Sequence, residues 1–149
     1  MGCWVHSDKT LTDQLNSFGN MHRHAGFLAF QELVAVLSFR PDYYEENREK
    51  LLGYGGVWGN LNKRLTAHLR FVEACNSHDI RSELHNIRTP TLVIHAGQDQ
   101  ITGPRTTMPL EAGLPNATGV TMTDVAHVVA GKKEKIEFNE ILFPFLNAH

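Results

Sequence analysis

The segment Thr91-Leu92-Val93-Ile94-His95-Ala96 constrains the fold more than any other part of this 149-residue chain. It is apolar at odd and even positions alike, so neither face of the strand it forms is suited to water. Strands of this kind belong to parallel sheets covered by helices on both sides. The downstream pattern fits: a loop from Gly97 to Gly103, a helix over about Arg105 to Gly113, the turn Leu114-Pro115-Asn116, a second strand over about Thr118 to Thr123, and a last helix over about Lys133 to Asn147. Strands alternating with helices indicate a right-handed βαβ unit with parallel strands. The expected class is therefore α/β. Two parallel strands leave both edges open and offer little area to cover, so the pattern describes part of a larger sheet. The remaining strands are either lost or supplied by another chain.

Upstream the spacing is helical. Leu11, Leu15 and Phe18, then Leu33, Val36 and Leu37, then Leu61, Leu65, Leu69 and Val72 each recur on one helix face. Pro41-Asp42 followed by Tyr43-Tyr44-Glu45-Glu46 suits a helix start, with acidic residues in the first turn, and Gly53-Tyr54-Gly55-Gly56 marks a break. No convincing strand is seen there. The expected division is a helical part over 1–85 and a βαβα part over 86–149.

Composition removes several function classes. At 42% hydrophobic and 20% charged the chain is ordinary globular material, with no repeat or low-complexity segment. A formal net charge of -2, with no basic block longer than Lys132-Lys133, offers no footprint for nucleic acid or an anionic membrane. No apolar run approaches the roughly 20 residues that span a bilayer, and Met1-Gly2-Cys3-Trp4 lacks the layout of a signal peptide. A soluble, cytoplasmic protein is expected. Cys3 and Cys75 form no C-x-x-C motif and are too few for a disulfide framework, so both are expected to be free, buried thiols.

Two polar residues stand at the places where α/β sheets gather their chemistry. Asp99 follows the first strand and His127 the second, and side chains at the carboxyl ends of strands project from rigid backbone into a crevice. A carboxylate there can accept from one imidazole nitrogen and fix the tautomer, leaving the other to take a proton from a nucleophile. In the α/β-hydrolase fold the order along the chain is nucleophile, acid, histidine.

At this point a resemblance enters. Ile87 through Thr102, with Pro90-Thr91-Leu92-Val93-Ile94 and Gly97-Gln98-Asp99-Gln100-Ile101-Thr102, resembles the acid-bearing segment of the α/β-hydrolase superfamily. Leu114-Pro115-Asn116-Ala117, Ala126-His127-Val128, Phe138-Asn139 and Leu142 through Leu146 resemble the ending of the same superfamily. Trp4 to Asp8 and Phe39-Arg40-Pro41-Asp42-Tyr43-Tyr44-Glu45-Glu46-Asn47 are similar to helix openings in the cap of its enol-lactonase and aminoacrylate-hydrolase branch. The resemblance implies a partial α/β-hydrolase fold, the carboxyl-terminal half, with the cap and the last two strands. It also implies Asp99 and His127 as catalytic acid and base, and a small-molecule ester, lactone or amide-like carbonyl as substrate. Neither cofactor nor metal is implied.

The departures are specific. No G-x-S-x-G elbow occurs, since none of Ser7, Ser17, Ser38, Ser77 and Ser82 is flanked by the two glycines. The oxyanion hole, built from backbone beside that elbow and from an earlier loop, is expected to be missing too. Ala126 stands where the family usually has glycine before its histidine.

Other residues invite weaker readings. The pairs His22/His24 and His78/His85 suggest metal, but no Cys, Asp or Glu completes a ligand set, and His-x-His on a helix points its rings apart. Cys3 has neither a strained elbow nor a base nearby in sequence, which favours an inert thiol over a nucleophile. His95 is expected in the core or buttressing the site. Trp4, Trp58, Phe27, Phe30, Phe39 and Tyr54 would line a cap, or simply pack helices. Two functions remain open. One is an enzyme part whose serine comes from an amino-terminal-half partner. The other is a non-catalytic scaffold that binds or oligomerises, covering its sheet edge with a second copy of itself.

Overall fold

The computed structural model describes residues 2–149. Its elements are α1 (Lys9–Ala25), α2 (Phe27–Ser38), α3 (Pro41–Leu51), α4 (Leu65–Asn76), β1 (Thr91–Ala96), α5 (Pro104–Gly113), β2 (Ala117–Met122) and α6 (Lys132–Ala148), with short 3-10 turns at Gly59–Leu61 and Leu84–Asn86. The chain forms two compact units. One is His6–His78, and the other combines residues 2–5 with Asp79–His149.

The helical unit starts where Asp8 caps α1, its carboxylate accepting the Leu11 N–H at 2.8 Å. That satisfies one of the donors every helix start leaves open. Leu11, Leu15, Phe18 and His22 are the buried stripe of α1, spaced to face one neighbour. Gly26, at φ 90°, ends α1 and begins α2, a backbone conformation that only glycine adopts without cost. Pro41 occupies the first turn of α3, where a missing N–H does no harm, and Asp42 follows it. The loop after α3 is held from below by Gln31, 1% exposed. Its Nε2 donates to Gly53 O at 2.9 Å and Val57 O at 2.6 Å, and its Oε1 accepts Gly53 N–H at 2.8 Å. All three polar demands of that buried amide are met from one loop, which is why a glutamine is tolerated there.

In the second unit β1 and β2 pair in parallel, from Thr91 opposite Ala117 to Ala96 opposite Met122. Sequence spacing places β1 correctly and starts β2 one residue late. Val5, Leu84, Val93 and Leu114 form the core, with Ile80, Leu110 and Ala117 against it. Ile80 N–H donates to Val5 O at 2.9 Å, so the residues before α1 split: Val5 joins the α/β unit while Asp8 caps the helical one. Along β1 the alternate residues Val93 and His95 are buried, whereas Leu92, Ile94 and Ala96 are half-buried. The expectation of two fully covered faces thus holds for one face within this chain. On α6 Ile136, Phe143 and Leu146 lie 48–56% exposed. Cys3 is exposed, correcting the expectation of a buried thiol, and Cys75 is buried. Among the described residues no helix is long and apolar enough to cross a membrane.

Candidate functional site

The site is built on two strand ends that the backbone ties together. Beyond Ala96, Gly97 N–H donates to Met122 O and Gln98 N–H to Val125 O, both at 2.9 Å. Gly97 passes so close that a β-carbon would come within 2.8 Å of Thr123 O. A side chain at 97 would therefore part the two ends. Gly103 closes the same loop, and a methyl there would overlap the carbonyl oxygen of Asp99. The two glycines frame a tight turn whose inward-facing side chain is Asp99.

Asp99 is 2% exposed at its side chain and fully engaged. Its Oδ1 accepts the N–H of Ile101 at 2.7 Å and of Thr102 at 2.9 Å. Its Oδ2 accepts the Thr102 hydroxyl at 3.2 Å and His127 Nδ1–H at 3.0 Å. Burial pushes this carboxyl up, but the bond to His127, the charge of that ring, and the Ile101 and Thr102 amides outweigh it, and the group is held below its ordinary value. Asp99 is thus an anion at neutral pH, and an anion is acceptor-only. It follows that His127 carries its proton on Nδ1 and that Nε2 is the basic nitrogen. Thr102 Oγ1 also lies 3.2 Å from His127 Nδ1 and shares that proton.

His127, with 22% of its side chain exposed, follows the buried pair Val125-Ala126. Ala126 is not among the residues with positive φ, so alanine costs no backbone strain where the resemblance leads one to expect glycine. Gly2 packs on the other side. A methyl on it would overlap Thr102 Oγ1 and approach His127 Cε1 to 2.8 Å. The geometry therefore brings together both residues singled out from sequence. It adds Thr102, Ile101 and Gly2, which sequence reading passed over. The I-T dipeptide after the aspartate was in view, and an Asx turn, in which the side chain accepts from the backbone two and three residues on, was the signal available there.

Three further histidines have partners of their own. His22 does not act with His24. It turns into the helical core, where its Nδ1 lies 2.9 Å from His68 Nδ1, and both rings pack on Phe30. One ring donates and the other accepts. Burial lowers both pKa values, and at His68 the neighbouring ring lowers it further. Among the described residues no three His, Cys, Asp or Glu side chains come together as ligands. His95, 3% exposed, accepts from the Thr107 hydroxyl at Nδ1 (2.6 Å) and donates from Nε2 to Glu111 at 2.7 Å, tying β1 to α5. Of the aromatic residues, Phe27, Phe30 and Phe39 are buried, and Tyr54 is 64% exposed.

Four of the five serines donate to groups within their own units. Ser7 donates to Cys75 O at 2.7 Å, Ser17 to Asp13 O at 2.8 Å and Ser77 to Ala74 O at 3.1 Å. Ser82 donates to Glu83 at 3.1 Å, whereas the Ser38 hydroxyl is buried in α2 with no hydrogen-bond partner among the described residues.

No family model matches the sequence, and no curated protein matches it. Solved structures do. MGS-M2, an α/β-hydrolase enzyme from a Medee basin deep-sea metagenome library, aligns over 97% of this chain and 54% of its own, at 20% identity and a TM-score of 0.76. The enol-lactonase from Burkholderia xenovorans LB400 aligns over 91% of this chain and 50% of its own, at 21% identity and a TM-score of 0.72. An esterase from Exiguobacterium antarcticum aligns over 97% and 53%, at 13% identity and a TM-score of 0.70. The chain spans about half the length of the structures it matches. Its helices and its two parallel strands make up the carboxyl-terminal half of the α/β-hydrolase fold.

Proposed function

We propose that Asp99 and His127 are the acid and base of a Ser-His-Asp hydrolytic triad whose serine lies on polypeptide outside these 149 residues. The observation that carries this reading is the 3.0 Å bond from His127 Nδ1 to an Asp99 carboxylate already held by two backbone amides. That arrangement holds the ring in the tautomer whose Nε2 can deprotonate a serine hydroxyl. The serine would attack an ester, lactone or amide-like carbonyl, and His127 would return the proton to the leaving group. Water, activated by the same nitrogen, would release the acyl group. Asp99 would remain ionised throughout and stabilise the imidazolium.

Chemistry then requires a second contribution. No G-x-S-x-G elbow occurs in this sequence; the oxyanion donors that accompany such an elbow would come with it from the other polypeptide, and oxyanion stabilisation is a large share of such catalysis. The chain alone is expected to show negligible ester hydrolysis and no labelling by a fluorophosphonate probe; stoichiometric labelling of one of its own serines would overturn the division. Mixed with an amino-terminal half that bears Gly-x-Ser-x-Gly, it is expected to gain activity. His127→Ala should then lower turnover by several orders of magnitude, as for loss of a triad member. Full activity with His127→Ala would remove that residue from the mechanism.

The second reading, a non-catalytic scaffold that binds or self-associates, draws on the surface of α6, where Ile136, Phe143 and Leu146 are exposed. Sedimentation separates the two. A dimer that persists when the amino-terminal half is added, with no gain in hydrolysis, favours the scaffold.

A further inference from the structure

His95 shares its face of β1 with the buried Val93, yet it brings two ring nitrogens where Val93 brings none. Buried polar atoms need partners, and α5 supplies both. Thr107 Oγ1 lies 2.6 Å from Nδ1, and Glu111 Oε2 lies 2.7 Å from Nε2. Glycine at 119 on β2 makes room for the second contact, since a β-carbon there would overlap the Glu111 carboxylate. Strands β1 and β2 and helix α5 thus shape one polar series around a ring that is 3% exposed.

The series has an open end and a closed one. The Glu111 side chain is 39% exposed, so protons reach the series from solvent there. At the closed end Thr107 is buried and has a second neighbour, Gly103 O, 3.4 Å from its Oγ1. A hydroxyl carries a single hydrogen, so it serves either His95 or Gly103. The ring decides which. While His95 is neutral and donates from Nε2 to Glu111, Nδ1 is an acceptor and draws the Thr107 hydrogen. When the ring gains a proton from solvent, Nδ1 becomes a donor, Thr107 Oγ1 accepts from it, and the hydroxyl hydrogen turns to Gly103 O. Glu111 is the charged group that faces His95. Strand β2 carries no titratable residue, and the other charged residue of α5, Arg105, is exposed.

Gly103 links this series to the acid. Its carbonyl already accepts the Thr106 N–H at 2.9 Å, the Thr107 N–H at 3.2 Å and the Thr106 hydroxyl at 3.0 Å. A further donor competes with these for two lone pairs. The same glycine packs on the Asp99 carbonyl, which a β-carbon would overlap. It also follows Thr102, whose N–H and hydroxyl both bond the Asp99 carboxylate.

We propose that His95 is a positioning residue for the acid turn, setting through the Thr107 hydroxyl how Gly103 and Thr102 hold Asp99. Its bearing on catalysis rests on the reading of Asp99 and His127 given above, whereas the coupling itself belongs to this chain and is measured without a nucleophile half.

The test follows the full, isotope-labelled chain by NMR as the pH is lowered, reading the His95 ring, the Gly103 carbonyl carbon and the Thr102 amide. Gly103 and Thr102 are expected to show a step at the midpoint of His95. Thr107→Val, which keeps the shape and removes the hydroxyl, should abolish that step, and Thr107→Ser should restore it. Glu111→Gln, at a partly exposed position, should displace the His95 and Gly103 midpoints together. A histidine that only fills the core leads to a different result: Thr107→Val loses stability and keeps the step at Gly103. That result overturns the proposal. So does a Gly103 midpoint that stays in place when Glu111→Gln moves that of His95, or a His95 ring that keeps one protonation state until the chain unfolds. If Thr107→Val does not fold, the Glu111→Gln midpoints decide. Ester hydrolysis with the amino-terminal half, the test of the catalytic reading, plays no part, so the two can fail separately.

Discussion

Replacing Asp99 by Asn tests the site at its centre, because it keeps the shape and removes only the charge. In the wild type both carboxylate oxygens accept: two backbone amides on Oδ1, the Thr102 hydroxyl and His127 Nδ1–H on Oδ2. An asparagine must place its NH₂ on one side. Against Oδ1 it would face two N–H donors, so it takes the Oδ2 position and points its own hydrogens at His127. The imidazole can then only accept at Nδ1, and its proton moves to Nε2. One charge-assisted bond is lost, about 1.5–3 kcal/mol, and the Thr102 hydroxyl loses its acceptor, about 0.5–1.5 kcal/mol. The expected destabilisation is about 2–4.5 kcal/mol at neutral pH.

The same change has a pH signature. Asp99 is held below the ordinary carboxyl value, so its contribution is fully present above that value and is lost as the pH falls through the depressed one. The gap between wild type and Asp99→Asn should therefore close on acidification. Urea midpoints at pH 7 and near pH 3 read the energy, and long-range proton–nitrogen correlation spectra of His127 read the tautomer. Wild type should show the Nδ1–H form and Asp99→Asn the Nε2–H form. Thr102→Val, which leaves the carboxylate in place, is the control: the tautomer stays, and the cost is about 0.5–1.5 kcal/mol. A stability change under about 0.5 kcal/mol for Asp99→Asn, with the wild-type tautomer retained, would refute the reasoning.

Two further outcomes follow from buried histidines. His22 and His68 have pKa values lowered by burial, so their neutral forms stabilise the helical unit fully above the ordinary histidine value. That stability falls as the pH drops below it, where the unfolded chain takes up protons first. The urea midpoint should decline between pH 7 and pH 5, and His68→Gln should make the decline shallower; an unchanged slope would show that the pair is not its source. On the other unit, Gly119→Ala would overlap the Glu111 carboxylate and break its 2.7 Å bond to His95. A cost of about 1–3 kcal/mol is expected, and it should shrink when Glu111 is already Ala. Additive costs in that double-mutant cycle would exclude the contact.

Asp99 and His127 were legible in the sequence because both follow strands, and strand ends are fixed by hydrophobic pattern and glycine placement. The geometry that makes them a pair was less so. Thr102 belongs to it through a hydroxyl whose partner sits 25 residues away, a separation that no local pattern encodes. His22 was read with His24 because they are neighbours in sequence. Its true partner is His68, 46 residues on, on a helix whose own periodicity says only that position 68 faces inward. Glu111 and His95 were missed as a pair for the same reason, since periodicity assigns faces and leaves their contacts open. Strand β1 was read as covered on both faces, yet Leu92, Ile94 and Ala96 are only half-buried. Apolar pattern reports what a strand is suited to contact, and the contacts available within one chain are a separate matter.

The contacts described above that orient His127 arise between β1 and the loop after β2, with the backbone of Gly2 packed beside them. The Gly97 and Gly103 contacts shape the turn, Ile101 and Thr102 fix the carboxylate, and the carboxylate fixes the ring. No step in that series calls on a serine. On the function proposed above, the base would be preorganised before a nucleophile meets it, and orientation and attack would fall on separable stretches of polypeptide. Separability has a consequence for function: a change in the 97–103 turn should alter the tautomer of His127 in the isolated chain, whereas a change in the nucleophile half should leave that tautomer as it is. An imidazole that adopted the Nδ1–H form only after the amino-terminal half was added would mean that the orienting device is not contained here. The Asp99 bond would then be a consequence of assembly rather than its preparation.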